Sequence, residues 1–393
     1  MEKRIAVVGA GVGGVYAAIC CAKAFREPGS RGSNVHIDVY EKGNSILNGP
    51  PYCHLHAGGF LYPEISTIDA QILFQHAIEF ALEFPDALQH KPCIIAYNKK
   101  SKYVANDLVY KCKVIHYLYN CYYKTFGKTP FGPIDNFYYV YQRKDVDYYL
   151  KHGTFNVQNT FHDPYAKKFI DALVDINSIK YPFISVCEYV INQNMIEQTL
   201  ADNFFRQPNI TLYTNTFVSV DALRNAYDWV ISARGFYSVK DNVEYKSSWL
   251  IHIPRFTDFP EVAIIGERGT DNGMIQITPT STQSQVFQVH CMTKDSTIIS
   301  DRITVISNKC IAERGKNAIT RLRTFFKNTE ESKQLFSTKN TGGYQMVVGD
   351  IKNRVSDYKV DQNVINLRII KATSVVAVVN KMVNELVIEI KKN

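Results

Sequence analysis

An α/β fold is predicted for this chain, with a parallel sheet in one domain and a second, strand-rich domain beside it. Three observations carry the prediction. The chain opens on a strand, a glycine-rich loop, a helix and a second strand. Short apolar strands recur near its middle, next to a helical segment. Between these α/β segments lie long aromatic stretches of different composition, so the domains are interleaved rather than strung in series.

Ile5–Val8 is a short apolar run of strand type, and Val12–Ala24 is apolar or small on most faces, as a buried helix is. Residues 26–34 (REPGSRGSN) make a turn-rich loop. Val35–Tyr40 alternates and is rich in β-branched and aromatic residues, the pattern of a second strand. That order implies parallel pairing with a right-handed crossover. Ser45–Pro63, rich in Gly, Pro and His, reads as loop, and Ala70–Phe84 has helical spacing. From Lys91 to Tyr149 tyrosine is dense, and the segments read as strands with connecting loops. Gln193–Phe205 reads as a helix. Ile210–Tyr213 and Asp228–Ser232 read as strands, the second closing on Ala233-Arg234-Gly235-Phe236. Strand patterns dominate Ser248–Val289, Ala312–Phe326 reads as helix, Gly342–Asp350 as loop and strand, and a last helix spans roughly Lys371–Ile390. The division this suggests is one domain from 1–85, 185–240 and 335–393, and another from 86–184 and 241–334.

Composition narrows the function classes. The chain has 393 residues, of which 46% are hydrophobic and 21% charged, enough apolar mass for a large core. Its net charge of +8 is spread along the chain, whereas a nucleic-acid binder concentrates basic residues in a stripe. The expected partner is therefore a small-molecule substrate, and no nucleic acid is expected. The nine cysteines are odd in number, scattered and without a Cys-x-x-Cys pair, which fits a reducing compartment. No signal sequence and no apolar run of about 18 residues are seen, so a cytoplasmic protein without a membrane span is expected.

Gly9-Ala10-Gly11-Val12-Gly13-Gly14 has the spacing G-x-G-x-x-G. Gly9 permits the tight turn out of the strand, Gly11 lets a pyrophosphate approach the backbone, and Gly14 lets the helix pack close to the sheet. The helix N-terminus presents free N–H groups and a positive dipole end to the phosphates. The second strand ends at Glu41, placed to accept hydrogen bonds from ribose hydroxyls and to oppose a 2′-phosphate. Lys42 follows, positioned to reach a phosphate or to cover the adenine. This is a Rossmann-like dinucleotide site in the context the motif demands.

Several motifs then occur in a telling order. After VVGAGVGG and VYEK come HAGGFLYPE (56–64), LYTNTFVSV (212–220), DWVISARGF (228–236), GMIQITPT (273–280) and TGGYQMVVGD (341–350). In that order the chain resembles the FAD-dependent oxidoreductases of the D-amino-acid oxidase type. The resemblance implies FAD as cofactor, a loop containing Gly58 and Gly59 over the flavin, Val218 against the adenine, and a contact from Gly235. Gly343 could present its backbone N–H to the flavin pyrimidine or be part of a plain turn. Two departures stand out: Arg234 replaces the family's threonine, and Asn366-Leu367-Arg368 stands where the family has a glycine-rich entry to its last helix.

Candidates for chemistry are few. His54 and His56 stand beside the loop of Gly58 and Gly59, where either could act as base, bind an anion or tether FAD. They could equally be loop residues bonded to carbonyls. A zinc site of Cys53, His54 and His56 is not expected, because three neighbours in an extended loop rarely share one ion. Tyr344 could lie over a substrate, and Arg354 or Lys371 could hold a carboxylate. The expected function is an FAD-dependent oxidoreductase acting on a small amine or amino acid. The alternatives are a flavin monooxygenase or halogenase, to which Gly349-Asp350 points faintly, and a non-catalytic dinucleotide-binding protein.

Overall fold

The computed structural model describes residues 3–25, 35–48, 52–235, 243–252, 258–279, 286–300, 307–327, 333–335, 343–348 and 355–392. Strand β1 (Lys3–Val8) leads through the glycine loop into helix α1 (Val12–Ala24), and β2 (Val35–Tyr40) returns parallel to β1. On the far side of β1 the strand Trp229–Ser232 pairs in parallel, and Val364–Arg368 pairs in parallel with that. Ile210–Tyr213 extends the sheet beyond β2, and Asp357–Asp361 closes the other edge antiparallel. Both faces of this six-stranded sheet are covered, as a parallel sheet requires. Ile5 and Val7 face the main core beneath α1, while Ala6 and Val8 face a smaller cluster with Val220, Tyr227, Val230 and Val364. Helix α1 packs against the helices Gln193–Phe205 and Val375–Lys392.

A ten-stranded sheet forms the second layer. Its order runs through Thr297–Ser300, Val243–His252, Val286–Cys291, Ile275–Pro279, Val262–Ile265, Cys93–Tyr97, Phe183–Val186 and Tyr138–Tyr141. Lys333–Leu335 and Gly343–Val348 also pair with Val243–His252. A three-stranded sheet of Tyr52–His54, Val190–Asn192 and Leu88–Gln89 connects the layers. Tyr52–His54 is a short strand inside the segment that composition reads as loop.

The tyrosine-rich stretch corrects the sequence reading. Ala105–Phe126 is one helix of 22 residues, not strands. Ala105, Leu108, Cys112, Ile115 and Tyr119 are buried at alternating steps of three and four, the period of a helix face. Tyr110, Tyr117 and Tyr123 point outward, so tyrosine's strand preference yielded to that spacing. Gly127, at φ 65°, caps the helix in the left-handed conformation. Tyr119 anchors it: the hydroxyl donates to the Gly132 carbonyl at 2.7 Å and accepts from the Phe131 amide at 3.0 Å.

His162, wholly buried, predicts an acid sensitivity of the fold. Its Nε2 donates to the Asn136 carbonyl at 3.0 Å, which leaves Nδ1 to accept from the Ser185 hydroxyl at 2.7 Å. Burial strips water from the charged form and holds the ring's pKa down at about 4, against the Asn136 bond that favours protonation. A depressed histidine stabilises the fold fully above its unfolded value of 6.5 and loses that contribution as pH falls toward 4. His162→Gln is expected to flatten the fall in melting temperature between pH about 6.5 and about 4. An unchanged slope would reject this role.

Candidate functional site

The glycine loop has the geometry of a phosphate cradle. Gly9 sits at φ 100°, and a Cβ there would lie 2.6 Å from the Ala233 carbonyl oxygen. A Cβ on Gly14 would lie 1.9 Å from the Gly9 oxygen, and one on Gly13 3.2 Å from the Ile369 side chain. A Cβ on Gly11 would meet nothing within 4 Å. The first and third glycines of the motif are thus demanded by backbone packing. The second fronts open space at the start of a helix, the position a pyrophosphate needs. Glu41 stands over this loop: one carboxylate oxygen accepts from Ala10 N at 2.8 Å, the other from Gly43 N at 2.7 Å. Arg234 flanks Gly9, with Nε bonded to the Ser232 hydroxyl at 3.1 Å. Lys42 is exposed at the same end of β2. Val218 packs with Tyr40 against the smaller core cluster, and Gly235 holds φ 60° just past the strand Trp229–Ser232.

The second centre lies around the three-stranded sheet. Gly58 at φ 136° and Gly59 at φ 64° turn the chain sharply. A Cβ on Gly58 would meet Phe60 at 2.9 Å and Ile115 at 3.1 Å, and one on Gly59 would meet Ile65 at 2.5 Å. Their conformation therefore serves packing against the helices Thr67–Glu83 and Ala105–Phe126 as well as any ligand. His54 Nε2 lies 2.9 Å from Glu188, whose other oxygen accepts from Gly59 N at 3.0 Å. His54 Nδ1 lies 2.9 Å from Glu261 Oε2, within ion-pair range but outside hydrogen-bond alignment. Glu261 Oε1 accepts from Gln276 Nε2 at 2.5 Å and from the Thr278 hydroxyl at 3.0 Å. His54, Glu188 and Glu261 are all buried. Burial opposes a charge on His54, but Glu261 and Glu188 outweigh it and raise the ring's pKa to about 10. Burial pushes the Cys93 thiol well above its ordinary range, helped by Glu261 and Glu188.

Next to this cluster is a cationic one. The rings of His54 and His56 are 4.9 Å apart, and those of His56 and Tyr62 are 5.3 Å apart. The Lys371 ammonium bonds the Tyr62 hydroxyl, and the Arg268 guanidinium lies 5.2 Å from the Tyr62 ring centre. Lys111 donates to the Tyr62 carbonyl at 2.9 Å, and burial lowers its pKa against the pull of Glu188.

The fold thus brings His54, His56 and Lys371 together. Gly343 and Tyr344 are on a strand of the large sheet, in register with Ser248 and Ser247. Arg354, Gly349 and Asp350 lie outside the described residues. Sequence reasoning passed over Tyr62, Glu188, Glu261 and Arg268. A signal existed for two of them: Glu188 and Glu261 are single carboxylates set among apolar residues next to strands.

No protein-family model matches the chain, and no curated protein is similar to it in sequence. Solved structures are similar in fold along nearly its whole length. Glycine oxidase from Geobacillus kaustophilus is 12% identical with a TM-score of 0.58, covering 100% of this chain and 95% of that one. NikD, an unusual amino acid oxidase essential for nikkomycin biosynthesis, is 10% identical with a TM-score of 0.59, covering 99% and 95%. L-proline dehydrogenase from P. horikoshii is 13% identical with a TM-score of 0.57, covering 99% and 94%. The chain has the α/β fold of these proteins, the fold that the order of its motifs predicts. Among the described residues no helix is long and apolar enough to cross a membrane.

Proposed function

We propose that the chain is an FAD-dependent oxidoreductase that oxidises a small amine or amino acid. The observation that carries this reading is the glycine loop, whose Gly11 opens onto free space while Gly9 and Gly14 are closed by backbone packing. The fold shared with an amino acid oxidase, a glycine oxidase and a proline dehydrogenase supports the substrate class. The amides opening α1 would hold the pyrophosphate, Glu41 the ribose, and Val218 the adenine. Bound there, FAD supplies the acceptor for a hydride from the carbon next to the substrate nitrogen. Nine free cysteines support a reducing, cytoplasmic setting.

In the same reading, Lys371 and Arg268, both against Tyr62, hold a substrate carboxylate, and His56 lies close enough to orient it. Losing a charge-assisted bond costs about 1.5–3 kcal/mol. Lys371→Met is therefore expected to raise KM for amino acids roughly 10- to 100-fold while sparing amines that lack a carboxylate. An equal loss for both substrate types would reject the assignment.

The absorbance spectrum of the purified protein, before and after acid precipitation, tests the cofactor. Flavin bands released to the supernatant support noncovalent FAD. Bands kept in the pellet support a covalent link, with His54, His56 and Cys53 the first residues to replace. A folded, colourless protein that takes up no added FAD would refute the reading.

A further inference from the structure

The buried cluster around His54 has a feature that the flavin reading leaves unused. Glu188 fixes the His54 ring from one side, so that Nδ1 faces Glu261. Gln276 and Thr278 hold one oxygen of Glu261, so that the other faces His54. The two facing atoms, His54 Nδ1 and Glu261 Oε2, are buried and make no aligned hydrogen bond. The Cys93 thiol sits beside them, and the three donor atoms lie within 4.8 Å of one another.

We propose that His54 Nδ1, Cys93 Sγ and Glu261 Oε2 bind a zinc-like divalent cation, with Glu188 as the outer carboxylate on His54. Imidazole, thiolate and carboxylate together suit zinc, at bond lengths of about 2.0–2.3 Å, rather than magnesium or calcium. The Glu188–His54 pair is the usual outer-shell arrangement of a metal-bound histidine, in which the second ring nitrogen donates to a carboxylate. Gln276 and Thr278 do the same for Glu261. Binding sends two protons to solvent, one from the His54 imidazolium and one from the Cys93 thiol. Two positive charges leave and two arrive, so the cluster keeps its net charge. The donors come from the strand Tyr52–His54, the first residue of Cys93–Tyr97 and the residue before Val262–Ile265, so the ion would tie the connecting sheet to the large sheet. This differs from the Cys53, His54 and His56 set weighed from sequence: the thiol and the carboxylate arrive from distant strands. The inference stands apart from noncovalent flavin binding; a flavin tethered at His54 would preclude it.

The test uses the full chain, stripped with a chelator and titrated with Co2+ and then Zn2+. The expected result is one equivalent of Co2+, with a thiolate charge-transfer band and visible bands of a tetrahedral ion at wavelengths beyond those oxidised flavin absorbs. Zn2+ should bleach them and raise the melting temperature. Cys93→Ser should abolish the thiolate band and weaken binding at least about tenfold, while Cys53→Ser changes neither. If Cys93→Ser does not fold, X-ray absorption on the zinc-loaded wild type decides, with one sulfur among nitrogen and oxygen neighbours expected. A folded wild-type chain that takes up no cobalt, or a bound metal without a sulfur neighbour, overturns the proposal.

Discussion

Gly14→Ala is expected to unseat helix α1 from the parallel sheet. The added methyl would lie 1.9 Å from the Gly9 oxygen and 3.2 Å from the Ala233 side chain. Neither neighbour can turn aside, since one is backbone and the other a methyl beside β1. Overpacking against flexible side chains costs about 1–3 kcal/mol, so a backbone clash belongs at or above the top of that range. Urea unfolding should show a loss of about 3 kcal/mol or more, and the FAD binding proposed for this loop should be lost with it. Gly11→Ala gives the contrast. Its methyl meets nothing within 4 Å, so stability should stay within about 0.5 kcal/mol of wild type. If the space before Gly11 is where the pyrophosphate lies, FAD affinity should still fall at least about tenfold, or about 1.4 kcal/mol. A Gly11→Ala protein that binds FAD like wild type would remove the observation on which the functional reading rests.

Glu188→Leu should be comparably severe for a different reason. Glu188 satisfies both His54 Nε2 and the Gly59 amide in a region closed to solvent. Leucine leaves two buried donors without acceptors and strands part of a buried charge, which typically costs about 3–5 kcal/mol. Glu188→Gln keeps the shape and one acceptor oxygen, so it should recover part of that loss. Denaturant midpoints of the two variants distinguish the cases. A Glu188→Leu loss under about 1 kcal/mol would mean that the cluster contributes little to the fold.

The parts legible in sequence are those whose geometry is set within a few residues. Three glycines of the 9–14 loop answer a local demand: a positive φ at Gly9, a helix start at Gly11, a close approach at Gly14. The apolar runs at β1, β2 and Trp229–Ser232 read as buried strands because little else would fill both faces of a parallel sheet. The stretch from Ala105 to Phe126 is just as legible by its steps of three and four, although its tyrosine content points to strands. The site was less legible. His54 and His56 stood out by their place beside the Gly-Gly turn, but their surroundings did not.

What the sequence determined by itself was the α/β class, the strand–glycine-loop–helix that opens the chain and an order of elements that matches the fold of the similar solved structures. What only the tertiary structure decided was which charges meet. Glu188 lies 134 residues from His54, and Lys371 lies 309 residues from Tyr62. No local pattern encodes such pairs, because a buried carboxylate needs a partner at hydrogen-bond distance but not at any particular distance along the chain.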